Sequence, residues 1–335
     1  MTIKNRHIIN LASNENPHGM SPAAAEAIKL ADAARYPNEM PLKRVLARTH
    51  KLDETNVILG NGSSELLNII AQTFLGSQSE AISSQYAFVV YGRVTKMAKA
   101  KHTVIPAVNF GHDLPSIIGA ITSRTKLLWL ANPNNPTGTF ISHSYLKACL
   151  LAVPRDVIIV LDEAYFEYLN PLERVDTTMW LVEFSNLIIV RTFSKAFGMA
   201  GLRVGYALAS KRLIAALQKT SLPYGVNTVG LIAAEAALKD QTFIQKSYKA
   251  NHEGMVQLKQ GLSNIGIECL PASRGNFVTF KIANARSASQ ALLRCGVIVK
   301  WLFEYEMPDY IRVSVGTPIE NDYFIHRLTL ILYGK

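Results

Sequence analysis

The sequence predicts an α/β fold with a large domain, in which a mostly parallel seven-stranded sheet lies between helices, and a smaller α/β layer. Short apolar runs alternate with helix-like segments from about residue 57 to 235, and this alternation is typical of a parallel sheet with helices on both faces. The β-branched run Val157–Leu161 is apolar throughout, as expected for a strand buried on both faces. A polar helix near 240–264 then leads into a second set of strands and helices, which predicts the smaller layer.

Each element follows from a local pattern. Apolar runs predict the seven strands of the large domain, at 57–59, 80–82, 103–105, 127–130, 157–161, 187–190 and 204–208. Helical periodicity predicts helices at 113–121, 142–152 and 211–219, and an Ala- and Leu-rich helix at 226–238 that closes the domain. In the smaller layer we predict strands at 267–270, 276–281 and 310–315 and helices at 286–295 and 319–333.

Composition favours a protein with extensive burial, including a subunit interface. The 335 residues are 49% hydrophobic and only 18% charged. The formal net charge of +10 raises the alternatives of a nucleic-acid-binding or a membrane-surface protein. Lys and Arg are scattered, however, and neither a helix-turn-helix pattern nor a zinc-ligand spacing is present. We therefore expect no nucleic-acid and no membrane partner.

Cysteine usage and the N-terminus bear on the compartment. Cys149, Cys269 and Cys295 are widely separated, which predicts reduced thiols rather than a disulfide framework or a metal site. The first residues lack the apolar core of a signal peptide, and no apolar run approaches about 18 residues. These patterns predict a cytoplasmic location.

The segment around Lys195 carries the strongest functional signal. The predicted strand 187–190 delivers this lysine into a small-residue loop, flanked by Thr192 and Ser194 and followed by Arg203. Pyridoxal 5'-phosphate (PLP) suits such a layout, because the lysine amine can bond its aldehyde carbon while the hydroxyls and the guanidinium group bind its phosphate. The alternative is an exposed strand end that merely carries Lys and Arg.

Asp162 stands at the end of the buried strand 157–161 and needs a partner there. The pyridinium nitrogen of PLP is such a partner, since an ionised carboxylate keeps the ring protonated and able to accept electrons. Tyr165, three residues on, can hydrogen-bond the phenolic oxygen of the ring. The alternative role for Asp162 is a cap of the next helix.

Two turns complete the predicted cofactor site. Two prolines within Asn132–Gly138 predict a rigid turn that orients Asn135 as an amide donor to the same phenolic oxygen. Gly62, Ser63 and Ser64 open a predicted helix after the strand 57–59, and the free N–H groups of a helix N-terminus bind phosphate. No Gly-Lys-Ser/Thr follows, so this is not a Walker loop.

These motifs resemble the class I/II aminotransferases of PLP fold type I, and in detail the histidinol-phosphate aminotransferases. The resemblance runs from about residue 8 to 330 and rests further on Ser13-Asn14-Glu15-Asn16-Pro17, Arg35-Tyr36-Pro37, Gln85-Tyr86-Ala87-Phe88, Gly111-His112-Asp113-Leu114, Gly275-Asn276-Phe277 and Arg312-Val313-Ser314-Val315-Gly316. It implies the PLP-dependent transferase fold type I. It also implies a large PLP-binding domain over 31–238 and a small domain built from both chain ends, 1–30 and 239–335.

The resemblance implies further roles near the cofactor. Lys195 binds PLP and then moves a proton between the substrate Cα and the cofactor C4' carbon. Tyr86 stacks on the ring, the alternative being an aromatic core residue. Tyr36 reaches the phosphate bound by the neighbouring subunit, which implies a homodimer with shared active sites.

The resemblance also implies a substrate site. Arg312 grips a substrate carboxylate, such as the α-carboxylate of glutamate or 2-oxoglutarate. Asn16 and Asn227 line the substrate pocket, the alternative being ordinary turn or cap asparagines.

Some segments depart from the family pattern. The chain starts almost directly at the Asn-Glu-Asn-Pro motif, so we expect a shortened N-terminal lid over the active site. Lys300-Trp301 stands where relatives have Arg-Pro, and that arginine helps to bind the substrate phosphate in the family. Lysine keeps the charge without the bidentate geometry. Glu304 and Glu306 replace glycines, and they repel a phosphate if they face it, or else point to solvent.

Three functions stay open from the sequence. The first is transfer of an amino group between L-histidinol phosphate and 2-oxoglutarate/glutamate, a step of histidine biosynthesis. The second is the same chemistry on an aromatic or other unphosphorylated amino donor. The third is a related PLP-dependent decarboxylase, which shares nearly every cofactor residue. A PLP-sensing regulator would carry a DNA-binding domain, for which the catalytic fold leaves no room.

Overall fold

A computed structural model describes residues 8–271 and 273–334 of the chain. Its strands are β1 (Ile9–Leu11), β2 (Val57–Gly60), β3 (Glu80–Ser84), β4 (Lys101–Ile105), β5 (Thr125–Ala131), β6 (Ile158–Asp162), β7 (Leu187–Thr192), β8 (Gly205–Ala209), β9 (Phe277–Lys281), β10 (Val297–Trp301) and β11 (Tyr310–Ser314). Its α-helices are α1 (Pro22–Ile28), α2 (Met40–His50), α3 (Ser63–Phe74), α4 (Val90–Met97), α5 (Leu114–Gly119), α6 (His143–Leu150), α7 (Lys211–Gln218), α8 (Thr228–Lys239), α9 (Gln241–Asn264), α10 (Ala285–Arg294) and α11 (Pro318–Tyr333).

The larger sheet has seven strands in the order β2-β8-β7-β6-β5-β3-β4. The strands from β7 to β4 run parallel, while β8 is antiparallel to both of its neighbours. The predicted α/β class with a mostly parallel seven-stranded sheet is confirmed. Because β5, β6 and β7 are adjacent and parallel, their carboxyl ends meet at one edge, where ligands bind in open α/β sheets.

Helices cover both faces of this sheet, as the apolar strands require. Leu128 and Ile159 pack in one core, and Trp129 and Val160 pack in another. Successive strand side chains point to opposite faces, so fully apolar strands need cover on both sides.

A smaller sheet, in the order β1-β10-β11-β9, lies in the remaining part of the chain. The predicted strand at 267–270 is wrong in extent: Cys269 forms an isolated bridge to Phe280. Pro271, which has no N–H to donate, follows this segment. Conversely, β1 and β10 were not predicted as strands, and they pair with each other in parallel.

The N-terminal part of the chain contacts both sheets. β1 pairs with β10 in the smaller sheet, whereas α1 packs on α8 and buries Ala24 in a core of the larger sheet. The assignment of 1–30 to the small domain stays a prediction, of which residues 1–7 lie outside the described residues. The packing of α1 favours a boundary before Pro22. Among the described residues, no helix has the length and apolar character needed to span a membrane.

Candidate active site

A cavity of about 260 Å³ lies at the carboxyl ends of β5, β6 and β7. It collects side chains from across the chain because this edge is where the parallel strands release their loops. The sequence-predicted residues that line it are Ser63, Ser64, Asn135, Asp162, Tyr165, Thr192, Ser194, Lys195, Arg203 and Arg312.

Asp162 ends β6 and is only 5% exposed. The Tyr91 hydroxyl donates to its Oδ2 at 2.9 Å, and the Ala164 N–H donates to its Oδ1 at 3.2 Å. Burial raises the pKa of this carboxyl to about 6, and the two hydrogen bonds act in the opposite direction. Asp162 is therefore a desolvated carboxylate that a cation in the cavity would stabilise.

Lys195 follows β7 and lines the same cavity. Its Nζ donates to the Ser13 carbonyl at 2.9 Å and lies 6.0 Å from the centroid of the Tyr165 ring. Burial, reinforced by the positive charge of Arg312, lowers the pKa of Lys195 to about 7. Near neutral pH a large share of this amine is unprotonated, as a nucleophile and proton carrier requires.

Tyr165 is 3% exposed, and its hydroxyl accepts a hydrogen bond from Asn14 Nδ2 at 2.8 Å. Ser314 in turn donates to Asn14 Oδ1 at 2.9 Å, which fixes the amide. Burial raises the pKa of Tyr165 to about 12, so its phenol stays protonated and free to donate toward the cavity.

Arg312 on β11 is 5% exposed and reaches the cavity from the smaller sheet. Its Nη1 donates to Asn135 Oδ1 and its Nη2 to the Ala12 carbonyl, while Nε has no partner. One N–H of the guanidinium group thus binds the side-chain amide oxygen of Asn135. Other N–H groups of the same guanidinium remain available to an anion.

A further group of cavity residues carries hydrogen-bond donors suited to an anion. α3 begins at Ser63, and its N-cap residue Gly62 has φ +84° and supplies no side-chain cap. Thr192 Oγ1 donates to Ser194 Oγ at 3.0 Å, and Arg203 Nη1 donates to the same Oγ at 3.4 Å. Uncapped helix N–H groups, hydroxyls and a guanidinium group are donors of the kind that bind phosphate.

Tyr86 is not brought to this cavity. Tyr86 lines a neighbouring cleft, and the centroid of its ring lies 5.9 Å from that of the Phe110 ring. The aromatic residues Phe88 and Tyr91 line the cavity instead. The predicted stacking role of Tyr86 is therefore not supported by its position. The backbone at Tyr86 is in the left-handed region, with φ +56°.

Asn16 and Asn227 have structural partners and do not line the cavity. Asn16 Nδ2 donates to the Ala196 carbonyl at 2.9 Å. Asn227 caps α8 by accepting from Gly230 N at 2.7 Å, and it donates to the Leu202 carbonyl at 2.9 Å. Both match the alternative of a turn or cap asparagine.

Lys300 also lies outside the cavity lining. Its Nζ pairs with Glu304 at 2.9 Å, and Arg93 approaches the other oxygen of that carboxylate at 3.5 Å. The hydrogen bond from Lys300 lowers the pKa of Glu304. Glu304 is thus paired with two cations, and with Glu306 it lines the cleft that contains Tyr86.

Tyr36 is 80% exposed and stacks on Tyr224 with 4.5 Å between ring centroids. It does not line the cavity of its own chain. The predicted contact with a neighbouring subunit stays a prediction.

Sequence reasoning missed several residues of the cavity wall. Asn14 and Ser13 belong to the motif from which only Asn16 was chosen. Phe88 and Tyr91 follow Tyr86 in the sequence but line the cavity. They lie just before and at the start of α4, where too few helical turns precede them for sequence periodicity to show which side chain faces the cavity. Tyr305, which lies between Glu304 and Glu306, also lines the cavity.

Comparison with known proteins agrees with this geometry. The family model described as "Aminotransferase class I and II" matches residues 6–328. Histidinol-phosphate aminotransferase 1 of Dechloromonas aromatica is 45% identical over 98% of this chain and 91% of its own length. Histidinol-phosphate aminotransferase of Methylobacillus flagellatus is 46% identical over 99% of this chain and 91% of its own length.

A solved structure also matches the fold over nearly the whole chain. Histidinol-phosphate aminotransferase from Sinorhizobium meliloti, in complex with pyridoxal-5'-phosphate, superposes with a TM-score of 0.92 at 26% identity. The match covers 98% of this chain and 91% of that one.

Proposed function

This chain belongs to the class I and II aminotransferase family, and on that premise we propose that it is a PLP-dependent enzyme that transfers an amino group between L-histidinol phosphate and 2-oxoglutarate. The observation that carries the proposal is one cavity in which a lysine of lowered pKa, a buried carboxylate and an anion site lie together. The names of the relatives described above support the choice of amino donor.

The residues present fit PLP. Gly62 leaves room for the guanidinium group of Arg203, since a Cβ at position 62 would clash with Nη2. Ser63, Ser64 and Ser194 would hold the phosphate at this end. The buried Asp162 would pair with the ring nitrogen, and Tyr165 would donate to the phenolic oxygen.

PLP, when bound, supplies a ring that accepts electrons from the substrate Cα. Asp162 holds the proton on the ring nitrogen, and its burial strengthens that ion pair. Lys195 would take the proton from the substrate Cα as general base and deliver it to the cofactor C4' carbon as general acid, which its lowered pKa permits near neutral pH. Asn14 and Ser314 hold the Tyr165 hydroxyl in place during these steps.

Arg312 would bind the α-carboxylate of glutamate or 2-oxoglutarate. Its fork contacts Asn135 and the Ala12 carbonyl through one N–H of each Nη atom, and a guanidinium group has five N–H donors, so others remain for a carboxylate. Bidentate binding of a carboxylate is the geometry that a guanidinium group favours. We propose no phosphate contact for Lys300, because Glu304 already pairs with its ammonium group.

A transamination screen tests this function. Histidinol phosphate, its matched dephosphorylated form histidinol, and aromatic amino acids are each offered with 2-oxoglutarate, and glutamate formation is measured. We expect histidinol phosphate to react with the highest kcat/KM. Faster reaction of an unphosphorylated donor would replace the substrate but keep the chemistry, whereas release of CO2 without glutamate would favour the decarboxylase.

We also propose a homodimer with shared active sites and a cytoplasmic location. The exposed, stacked pair of Tyr36 and Tyr224 supports the first part, because two large aromatic side chains on one exposed surface are typical of an interface. The cytoplasmic location rests on the sequence patterns alone.

A further inference from the structure

We propose that Tyr91 is a positioning residue, which acts through Asp162 to keep that carboxylate ionised and oriented toward the ring nitrogen of the cofactor. The inference rests on the proposed function for the presence of PLP, but not on the identity of the amino donor. Its central observation is the hydrogen bond of 2.9 Å from the Tyr91 hydroxyl to Asp162 Oδ2.

The position of the Tyr91 hydroxyl is fixed by packing. Tyr91 belongs to α4 and is 1% exposed. Its ring stacks on Trp129 of β5 with 5.3 Å between centroids and 1° between planes. Trp129 is itself held, because its Nε1 donates to Thr95 Oγ1 at 3.1 Å. The hydroxyl is therefore presented to Asp162 without loss of side-chain freedom on binding.

The two oxygens of Asp162 have separate donors. Tyr91 donates to Oδ2 and the Ala164 N–H donates to Oδ1, so removal of the hydroxyl leaves Oδ2 without its donor in a buried site. Burial raises the pKa of Tyr91 well above its usual value, so the phenol stays a donor throughout the physiological range. Loss of a donor to the charged form favours protonation of a carboxyl group.

The other ionisable groups around Asp162 come from several elements. Burial and the negative charge of Glu163 favour its neutral form, while Lys195 favours its ionised form. The further ionisable groups that line the cavity are Tyr165, Arg203, Tyr305 and Arg312. Among the groups that stabilise ionised Asp162, Tyr91 has the largest effect, because its hydroxyl donates a hydrogen bond directly to the carboxylate. A protonated Asp162 would no longer form an ion pair with the ring nitrogen.

Tyr91→Phe removes the hydroxyl and keeps the ring. Equilibrium binding of PLP, followed by visible absorption and protein fluorescence from pH 5 to 9, measures the effect. We expect Kd for PLP to rise about two- to fifteenfold at pH 7, because loss of one hydrogen bond to the charged form raises the pKa of Asp162 and leaves a smaller share of it ionised. We further expect the acid-side loss of PLP binding to shift to higher pH, because Asp162 then protonates more readily.

Tyr206→Phe is the matched control. Tyr206 is 2% exposed, its hydroxyl lies 3.5 Å from His50 Nε2, and it does not line the cavity. Wild-type protein that fails to bind PLP would refute the proposed function itself. If wild type and Tyr206→Phe bind PLP, an unchanged Kd or an unshifted pH profile in Tyr91→Phe would refute the role of Tyr91.

The double variant Tyr91→Phe/Asp162→Asn shows whether the hydroxyl acts through the carboxylate. We expect it to bind PLP as Asp162→Asn does, because the partner of the hydroxyl is already neutral. If Tyr91→Phe alone failed to fold while the double variant folded, the hydroxyl would be shown to stabilise the buried charge. Failure of both to fold would assign Tyr91 to packing and overturn the proposal.

Discussion

The backbone of Gly62 lies directly against the guanidinium group of Arg203. Gly62 has φ +84°, and a Cβ atom added there would clash with Nη2 of Arg203. This contact places the arginine beside the N-terminus of α3, where Ser63 and Ser64 line the cavity. The proposed anion site thus depends on the absence of a side chain at position 62.

We expect Gly62→Ala to weaken PLP binding by about ten- to a hundredfold, since the methyl group would displace one charged donor to the phosphate. The control is Gly201→Ala, because a Cβ there meets no atom within 4 Å. Isothermal titration of cofactor-free protein with PLP measures both variants. Equal affinities would mean that Arg203 does not bind the phosphate.

Lys195 should be the residue that PLP modifies. Borohydride treatment of the cofactor-loaded protein, followed by peptide mass spectrometry, should place the reduced adduct on Lys195. The exposed Lys219 serves as an internal control. An adduct there instead would contradict the assignment.

The rate at which cofactor-free protein captures PLP should depend on pH. The pKa of Lys195 is lowered to about 7, and only its unprotonated amine attacks an aldehyde. We therefore expect the capture rate to rise between about pH 6 and pH 8. Arg312→Ala should move this midpoint upward, because it removes a positive charge that disfavours the protonated amine. A midpoint near the ordinary lysine value would contradict the burial of the amine.

The buried, ionised Asp162 should lower the free energy of unfolding of the cofactor-free protein. Its pKa rises from an ordinary 3.8 to about 6 on folding, so the folded state disfavours the ionised form. The penalty is absent below about pH 4, grows as the pH rises to about 6, and stays constant above. We expect Asp162→Asn to raise the free energy of unfolding at pH 7 by about 2–3 kcal/mol. Urea unfolding at pH 4 and pH 7 measures the difference between variant and wild type.

The same variant should lose transamination by orders of magnitude, because a neutral amide does not hold the proton on the ring nitrogen. A loss of activity together with a gain of stability separates a functional carboxylate from a helix cap. A variant that is less stable and still active would assign Asp162 to capping.

Shared active sites predict complementation between inactive variants. Tyr36→Ala and Lys195→Ala homodimers each lack one residue in every site, whereas a mixed dimer has one site with both residues intact. When the two variants exchange subunits, we expect each mixed dimer to have up to about half of the activity of a wild-type dimer, because one of its two sites is intact. The total activity should then rise in proportion to the number of mixed dimers formed. Native mass spectrometry counts the mixed dimers. If the Tyr36 variant is inactive alone and mixed dimers show no activity, the site is not shared.

Local patterns in the sequence were sufficient for the large sheet. All seven predicted runs of this sheet are strands, because short β-branched and apolar segments favour extended structure in a sheet. They were insufficient for β1 and β10, whose pairing joins residues near 10 to residues near 298. Such pairing depends on contacts between residues that are far apart in the sequence. Each of these short strands by itself has too weak a sequence pattern to predict a strand.

The sequence by itself determined the family and the fold, and it indicated the residues at strand ends, Lys195 and Asp162, that we propose to bind the cofactor. Only the tertiary structure decided which of several similar side chains faces the cavity: Tyr91 and Phe88 rather than Tyr86, and Asn14 rather than Asn16. A residue type and its spacing specify what a side chain can do. The direction in which it points depends on local backbone dihedrals and on packing against distant elements, as for Tyr91 on Trp129.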